Sequence, residues 1–251
     1  KRIIFFKKYG EMLTKSNEFI GKYLKLHKTR YTSYKKLVSN PPLADIYITG
    51  SDQLWNSDFA CGKDKAFYLG FAKSGKKMSY AVSLGKENVS HDEANWIAEN
   101  VRDFDFVSVR EYTSKVLLEE NGIKNIEYVC DPVLLLEKEE YLNIQIKPQN
   151  SKYIAVYIVE KSDLLDNLLQ RLKAIYGYET IHIGAFINRS KSDNLIKGTS
   201  PTEFVGLLAN AEFIVASSFH ATVFAHIFEK NFAIIPPRKN SARIEQFLEL
   251  T

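Results

Sequence analysis

The chain has 251 residues, a hydrophobic fraction of 45%, a charged fraction of 25% and a formal net charge of +4. This length allows one large domain or two ordinary ones, and so mild a charge argues against a nucleic-acid-binding surface while it suits an anionic substrate. No apolar run reaches the roughly 18–20 residues of a membrane-spanning helix, no secretory signal is visible, and the two cysteines form no metal-binding pattern, so we expect a cytoplasmic protein without a bound metal.

The first half of the chain predicts one helix followed by alternating strands and helices. Residues 1–26 place apolar side chains among lysines, which indicates an amphipathic helix with a break near Gly10. After a basic stretch, strands are predicted at 45–49, 78–84, 106–110 and 126–129, and helices at 90–103 and 111–121. A long loop covers 51–70. The strand–helix–strand order predicts a parallel sheet.

The second half repeats this alternation after a connector at 133–150. Strands are predicted at 153–159, 180–186, 213–216 and 232–235, and helices at 162–176, 200–210 and 219–229, with a polar loop at 187–200. We therefore predict two Rossmann-like lobes, 1–140 and 141–251, with parallel sheets flanked by helices and a cleft between them. The chain opens on Lys1 and ends inside the helical pattern of 241–251, so we expect both lobes to be truncated at the chain ends.

Ligands of such sheets bind beyond the carboxyl ends of the strands, which directs attention to the residues that follow each strand. The first predicted strand runs into a loop with Gly50 and several polar or aromatic side chains: Ser51, Asp52, Gln53, Trp55 and Asn56. The polar groups could bind a sugar and the Trp55 ring could stack on it. The alternative is a loop whose side chains satisfy its own backbone.

Two further strand ends carry candidate residues. Arg110 has the geometry to bind phosphate or carboxylate, although an ion pair with the adjacent Glu111 is the alternative. Ser217, Ser218 and His220 stand at a strand-to-helix turn, where a helix N-terminus attracts anions and a histidine can transfer protons. The alternative there is a simple serine cap with an exposed histidine. No metal motif, phosphate-binding loop or dinucleotide fingerprint is present.

Several of these segments resemble the motifs of a known family. They are Tyr47-Ile-Thr-Gly-Ser-Asp-Gln-Leu-Trp-Asn56, Lys77-Met-Ser-Tyr-Ala-Val-Ser-Leu-Gly85, Val107-Ser-Val-Arg-Glu111, Asp131-Pro-Val-Leu-Leu135, and Ser200-Pro-Thr-Glu-Phe204 followed by Ser217-Ser-Phe-His-Ala221. In this order the segments resemble the polysaccharide pyruvyl transferases, whose fold is similar to that of the two-lobed GT-B glycosyltransferases.

The resemblance implies transfer of a pyruvyl group from phosphoenolpyruvate, as co-substrate, to two hydroxyls of a saccharide or lipid-linked oligosaccharide in cell-envelope or exopolysaccharide biosynthesis. It implies that His220 and Arg110 are catalytic, that Arg110 holds the donor anion, and that Ser217 and Ser218 hold phosphate oxygens. Ser51, Asp52, Gln53, Trp55, Asn56 and Glu111 would complete the substrate site. No cofactor is implied.

One position departs from the family pattern. Some members carry arginine two residues before the motif histidine, where this chain has Ser218, so one cation for the phosphate is absent or is supplied by another residue such as Arg189, Arg238 or Arg243. The alternatives to pyruvyl transfer are a GT-B glycosyltransferase that uses a nucleotide sugar and a non-catalytic binding protein of a polysaccharide pathway. The lysine-rich opening fits peripheral contact with an anionic membrane at its inner face, or a solvated surface.

Overall fold

The computed structural model describes residues 2–86, 88–160, 162–184, 192–237 and 241–249, without the side chains of residues 2–9 and 242. The chain divides into two compact units, which we name by their strands. The β1–β4 unit contains His27–Leu135 and Glu245–Thr251, and the β5–β9 unit contains Lys1–Leu26 and Leu136–Ile244. The predicted lobes were 1–140 and 141–251. In the structure, Lys1–Leu26 group with the β5–β9 unit and Glu245–Thr251 with the β1–β4 unit. The two-lobe boundaries themselves stay a prediction.

The β1–β4 unit is a parallel sheet with helices inserted between strands. Its elements in chain order are α2 (Tyr34–Ser39), β1 (Ile46–Thr49), two short 3₁₀ helices (Ala60–Lys63 and Lys65–Tyr68), β2 (Lys76–Ser79), α3 (His91–Val101), β3 (Val107–Val109), α4 (Tyr112–Glu120), β4 (Ile126–Tyr128) and a 3₁₀ turn (Pro132–Leu135). β1 pairs with β2 and β3 with β4, all parallel, and single bridges from Met78 to Phe106 and from Val82 to Val109 connect the two pairs.

The β5–β9 unit holds a sheet with the strand order β7-β6-β5-β8-β9, parallel throughout. Its elements are α1 (Arg2–Tyr23), α5 (Lys138–Ile144), β5 (Tyr153–Tyr157), α6 (Asp163–Tyr176), β6 (Glu179–Gly184), β7 (Asn194–Lys197), α7 (Pro201–Ala209), β8 (Phe213–Ala216), α8 (Phe219–Ile227) and β9 (Asn231–Ile234). The last helix, α9 (Ala242–Glu249), follows at the end of the chain. The predicted α/β class with parallel sheets flanked by helices is confirmed.

Each sheet buries an apolar face under its helices. In the β1–β4 unit the core contains Trp55, Val82, Leu84, Ile97, Val109, Leu118 and Ile126. In the other unit it contains Ile154, Val156, Leu165, Leu169, Leu172 and Val215. The central strands read as continuous apolar runs because both faces are covered, as is usual for parallel sheets. These cores fix the strand ends, from which the functional candidates project.

The structure differs from the predicted elements in several places: β2 covers Lys76–Ser79 rather than 78–84, and α2 lies in the basic stretch where no helix was predicted. α1 passes through Gly10 without a break, since a single glycine weakens a helix by only about 1 kcal/mol relative to alanine. The predicted connector contains α5, and the predicted polar loop contains β7, an edge strand of four residues. No helix among the described residues is long and apolar enough to cross a lipid bilayer.

Candidate functional site

A pocket of about 420 Å³ lies at the carboxyl ends of the β5–β9 sheet, and we name it the α8 pocket. Strand ends and the loops after them supply Tyr157, Ile183, Gly184, Gly198, Thr199, Ser200 and Ser218, and helices supply Met12, Ser16, Pro201, Phe204, His220 and Phe224. The carboxyl edge is where open parallel sheets bind ligands. Of the predicted site residues, Ser218 and His220 lie in this pocket.

Two helices begin at the α8 pocket, and their caps differ. At α7 the Ser200 hydroxyl accepts a hydrogen bond from the Glu203 N–H, and the Glu203 carboxylate accepts one from the Ser200 N–H, which together form a capping box. At α8 the N-cap is Ser218, whose side chain makes no capping hydrogen bond. The first turn of a helix attracts anions, so the start of α8 and the Ser218 hydroxyl suit a phosphate or carboxylate.

Ser217 does not share this position. Its side chain is buried, and its hydroxyl oxygen accepts a hydrogen bond of 2.9 Å from the Val159 N–H. The backbone N–H of Ser217 donates to the Tyr157 carbonyl, so the residue joins the end of β5 to the end of β8. Ser217 lines a separate pocket of about 250 Å³ rather than the α8 pocket, and its role in holding phosphate oxygens stays a prediction.

Arg110 lies at the end of β3 among three carboxylates. Its Nη1 donates to Asp131 Oδ2, its Nη2 lies 3.2 Å from Asp52 Oδ1, and its Nε lies 3.5 Å from Glu111 Oε1. Burial favours the neutral form, but Glu111, Asp131 and Asp52 outweigh it and raise the pKa of Arg110. The side chain is only 2% exposed. A direct contact between Arg110 and the donor stays a prediction, and these contacts favour a structural role.

Glu111 belongs to the same buried network. One carboxylate oxygen accepts a hydrogen bond of 2.5 Å from the Ser83 hydroxyl, and the other accepts one of 3.3 Å from the Ser114 hydroxyl. Because Glu111 is buried and its oxygens already have these partners, the structure corrects the prediction that it binds substrate. The ion pair with Arg110, considered from the sequence as the alternative, is present.

The loop after β1 separates into buried and accessible residues. Trp55 is fully buried and stacks on Tyr68 with 5.5 Å between ring centroids, so the prediction that its face meets a sugar is wrong. Asn56 is also fully buried, and its amide donates a 2.7 Å hydrogen bond to Gln53 Oε1, which corrects its predicted contact with substrate. Asp52, with 59% of its side chain exposed, is the most accessible predicted acceptor-binding group of this loop, beside half-buried Ser51 and Gln53.

The three arginines named as substitutes for the missing family arginine have different outcomes. Arg189 and Arg238 lie outside the described residues. Arg243 lies beside α8, with its guanidinium carbon 5.8 Å from the ring centroid of Phe219, the first residue of that helix. Arg243 is therefore the described candidate that stands next to the start of α8.

Sequence reasoning missed most of the pocket wall. Met12 and Ser16 come from α1, more than 200 residues before the α8 motif, and no local pattern links the two segments. Phe204 is part of a recognised motif, but its place in the wall follows only from its position one turn after the α7 cap. Within the described ranges, no group of three or more histidine, cysteine or acidic residues is placed to hold a metal ion.

One of the solved structures that match this chain, with a TM-score above 0.5, agrees with the fold class. A Klebsiella pneumoniae protein described as uncharacterized matches with a TM-score of 0.53, 15% identity, and coverage of 96% of this chain and 84% of its own. The UDP-GlcNAc 2-epimerase of Methanocaldococcus jannaschii, in complex with UDP-GlcNAc and UDP, matches with a TM-score of 0.49, 16% identity, and coverage of 86% and 70%. No curated protein matched the sequence.

The family comparison covers nearly the whole chain. The model described as "Polysaccharide pyruvyl transferase" matches residues 6–238, a range that includes α1, the loop after β1, Arg110 and the α8 motif. The match joins both units in one family model, as the order of the motifs predicted. The chain therefore belongs to the polysaccharide pyruvyl transferase family.

Proposed function

We propose that this protein transfers a pyruvyl group from phosphoenolpyruvate to two hydroxyls of a saccharide, as a cyclic ketal, in cell-envelope or exopolysaccharide biosynthesis. The family match supports transferase chemistry on a saccharide. The observation that carries the proposal is the α8 pocket, where Ser218 and His220 stand together at a helix N-terminus. Such a terminus suits the anionic donor, and His220, which lines the pocket beside it, is a side chain suited to proton transfer near neutral pH.

The reaction requires one proton donor, one anion site and two acceptor hydroxyls. A proton is added to C3 of phosphoenolpyruvate, which makes C2 electrophilic, and a first acceptor oxygen then bonds to C2. The bond from C2 to the phosphate oxygen breaks, a second acceptor oxygen takes its place, and inorganic phosphate leaves. The acceptor loses two hydroxyl protons in the reaction. These balance the proton added to C3 and the proton taken up by the released phosphate. We assign the C3 proton to His220 and the phosphate to the start of α8.

The predicted acceptor role of the loop after β1 stays a prediction of its own, separate from the α8 pocket. Asp52 carries an accessible carboxylate, which accepts hydrogen bonds from hydroxyls, and half-buried Ser51 and Gln53 add a hydroxyl and an amide. Arg110 faces three carboxylates, so its predicted contact with donor would require that it leave partners it now has. We therefore propose that Arg110 acts mainly by holding Asp52 at the end of β1.

The test compares His220→Asn with His226→Asn. Both histidines belong to α8, but His226 lies in its last turn and does not line the pocket. With phosphoenolpyruvate and a panel of saccharides, we expect His220→Asn to lower phosphate release by about 10²–10⁴-fold, the usual contribution of an acid–base group, with donor binding retained. His226→Asn should release phosphate like the wild type. Equal activity of both variants and wild type would contradict the role of His220.

The same preparation separates the alternatives. Thermal stabilisation by phosphoenolpyruvate alone supports pyruvyl transfer, since a ligand at about 100 times its dissociation constant adds about 2.7 kcal/mol of stability. Stabilisation by a nucleotide sugar alone would instead indicate a glycosyltransferase. No stabilisation by either class, combined with retained saccharide binding, would indicate a non-catalytic binding protein.

We also propose that the protein acts in the cytoplasm at the inner face of a membrane, where a lipid-linked acceptor would be presented. Charge is unevenly distributed along the chain: residues 1–36 contain eleven basic and two acidic side chains, whereas residues 37–251 have a net charge of −5. Leu24 and Leu26 lie exposed within this basic region. Basic residues beside exposed leucines are typical of segments that contact anionic lipid surfaces.

A further inference from the structure

Helix α1 packs on the β5–β9 unit through one stripe of residues. Over the part of α1 with described side chains, the half-buried residues are Met12, Lys15, Ser16, Phe19 and Ile20, and the residues between them are exposed. This spacing of three and four residues defines one face of a helix. None of the five is fully buried, so α1 covers the unit without becoming part of its core.

The stripe borders two cavities. Met12 and Ser16, one turn apart on the same face, line the α8 pocket. Lys15 and Phe19 line a second cavity of about 290 Å³, together with the start of α7 and the segment after α5. The side of α1 that carries Met12 and Ser16 therefore forms a wall of the α8 pocket.

An ion pair between Lys15 and Glu203 connects α1 to α7, whose start also lines the α8 pocket. Lys15 Nζ lies 2.7 and 2.8 Å from the two carboxylate oxygens of Glu203, the residue whose carboxylate also caps Ser200 at the start of α7. Burial opposes the charge of Glu203, but the hydrogen bonds from Lys15 and from the Ser200 N–H outweigh it and lower the pKa of the carboxyl group. Ser200 and Pro201, at this same helix start, line the α8 pocket.

The chemistry of the wall differs from that of the anion-binding end. The start of α8 offers a helix N-terminus with Ser218 and His220, whereas α1 offers the thioether of Met12 and the hydroxyl of Ser16, which carry no charge. A small apolar group beside a hydroxyl suits a sugar, which presents C–H faces and hydroxyls. None of the family motifs quoted above contains either residue.

We propose that α1 selects the saccharide acceptor: Met12 and Ser16 contact the sugar, and Lys15 is a positioning residue that holds α1 against α7 through Glu203. This inference rests on the proposed function only for the identity of the donor beside the sugar. A saccharide can bind to the α1 wall without turnover, so the experiment can contradict the α1 inference and the proposed function separately.

The experiment measures retention of the protein on immobilised methyl glycosides of galactose, glucose and mannose, with and without phosphoenolpyruvate. Ser16→Ala leaves the ion pair in place and should weaken retention by removal of one contact. Lys15→Met should weaken it by about five- to ten-fold, because a loosened wall must be ordered again when the sugar binds. Lys15→Arg should restore retention. Lys22→Met, on the same helix and also bordering the second cavity, is the matched control and should bind like the wild type.

Amide hydrogen exchange of residues 10–23 provides the structural readout. Lys15→Met should speed exchange of this segment relative to both wild type and Lys22→Met, while the rest of the chain is unchanged. Failure of the wild type to bind any of the glycosides, or equal retention of wild type, Ser16→Ala and Lys15→Met, would overturn the inference. Retention without any phosphate release from phosphoenolpyruvate would support the α1 wall and count against the proposed function.

Discussion

Arg110 shows how strongly one buried guanidinium depends on its neighbours. The Asp131 carboxylate that it meets is fully buried, and one of its oxygens also accepts the Val133 N–H. Removing one partner of a buried ion pair leaves the other charge without compensation in a poorly solvated place. Arg110 is therefore a residue at which stability and function must be measured separately.

We expect Arg110→Met to destabilise the protein by about 3–5 kcal/mol, because Asp131 would stay buried without its cation. Arg102→Met, an exposed arginine at the end of α3, should change stability by less than about 0.5 kcal/mol. Urea unfolding followed by circular dichroism measures both. If Arg110→Met unfolds like the wild type but no longer binds phosphoenolpyruvate, the donor-binding role is correct and the structural one is not.

Residue type alone could not separate binding groups from supporting ones. Ser217 and Ser218 are adjacent serines at one strand end, yet the Ser217 hydroxyl accepts a hydrogen bond from the Val159 N–H, and of the two residues it is Ser218 that lines the α8 pocket. Trp55 and Asn56 follow a strand, as ligand-binding residues do, but the 3₁₀ helix at 65–68 brings Tyr68 over Trp55 and closes that loop. Which side chain faces solvent is decided by packing over long sequence distances, and a local pattern does not contain it.

At the level of elements, most predicted helices and strands are present, whereas the strand predicted at 78–84 is only Lys76–Ser79 and the weak elements α2, α5 and β7 were missed. The helix predicted at 200–210 is present as α7, and Ser200 and Glu203 form a capping box at its start. Edge strand β7 reads as Asn-Leu-Ile-Lys within a polar stretch, so its pairing with β6 had to be seen in three dimensions. α5 was hidden in a charge run, although Glu137 and Glu140 form a capping box around its start.

Two glycines in helices give opposite predictions. A Cβ added at Gly206 in α7 would lie 1.9 Å from the Ile146 carbonyl oxygen, whereas at Gly10 in α1 it would meet no atom within 4 Å. We expect Gly206→Ala to destabilise by about 1–3 kcal/mol through overpacking, despite the better helix propensity of alanine. Gly10→Ala should stabilise by about 0.5–1 kcal/mol. Urea midpoints with unchanged slopes test both, and stabilisation by Gly206→Ala would refute the close approach.

Asp193, just before the edge strand β7, accepts hydrogen bonds from Lys173 and from Thr180 of β6. The stability that these hydrogen bonds give should depend on pH. Hydrogen bonds from Lys173 and then from the Thr180 N–H lower the pKa of Asp193 from 3.8 to about 2. A folded-state pKa below the unfolded value stabilises the protein above about pH 4, and this stabilisation is lost as pH falls through about 2. Asp193→Asn should thus be less stable than wild type at pH 7.

The pH dependence distinguishes this effect from a general loss of packing. Unfolding by urea between pH 7 and pH 2 should show the gap between wild type and Asp193→Asn staying constant down to about pH 4 and then closing. Asp103→Asn, an exposed carboxylate after α3, provides the control and should show little gap at any pH. A gap that persists undiminished at pH 2 would contradict the ion-pair explanation.

At the level of the whole molecule, charge segregation is the property that composition conceals. A net charge of +4 is unremarkable, but it is the difference between a basic first segment and an acidic remainder. Exposed Lys25, Lys28 and Arg30 belong to the basic segment, next to exposed Leu24 and Leu26. Such a distribution orients a protein at an anionic surface even when its overall charge is small.

We expect the protein to sediment with vesicles of phosphatidylserine and phosphatidylcholine, and much less with phosphatidylcholine alone. Changing Lys25, Lys28 and Arg30 together to Gln should weaken this binding about a hundredfold, at about 1 kcal/mol for each basic residue near the surface. Changing Lys63, Lys73 and Lys76 to Gln removes as many exposed charges elsewhere and should have little effect.

Binding to the vesicles should also fall with salt, because the Debye length shortens from about 10 Å at 0.1 M to about 3 Å at 1 M. Equal losses in the two triple variants would mean that overall charge is responsible, and binding that persists at high salt and on neutral vesicles would assign the contact to the leucines instead.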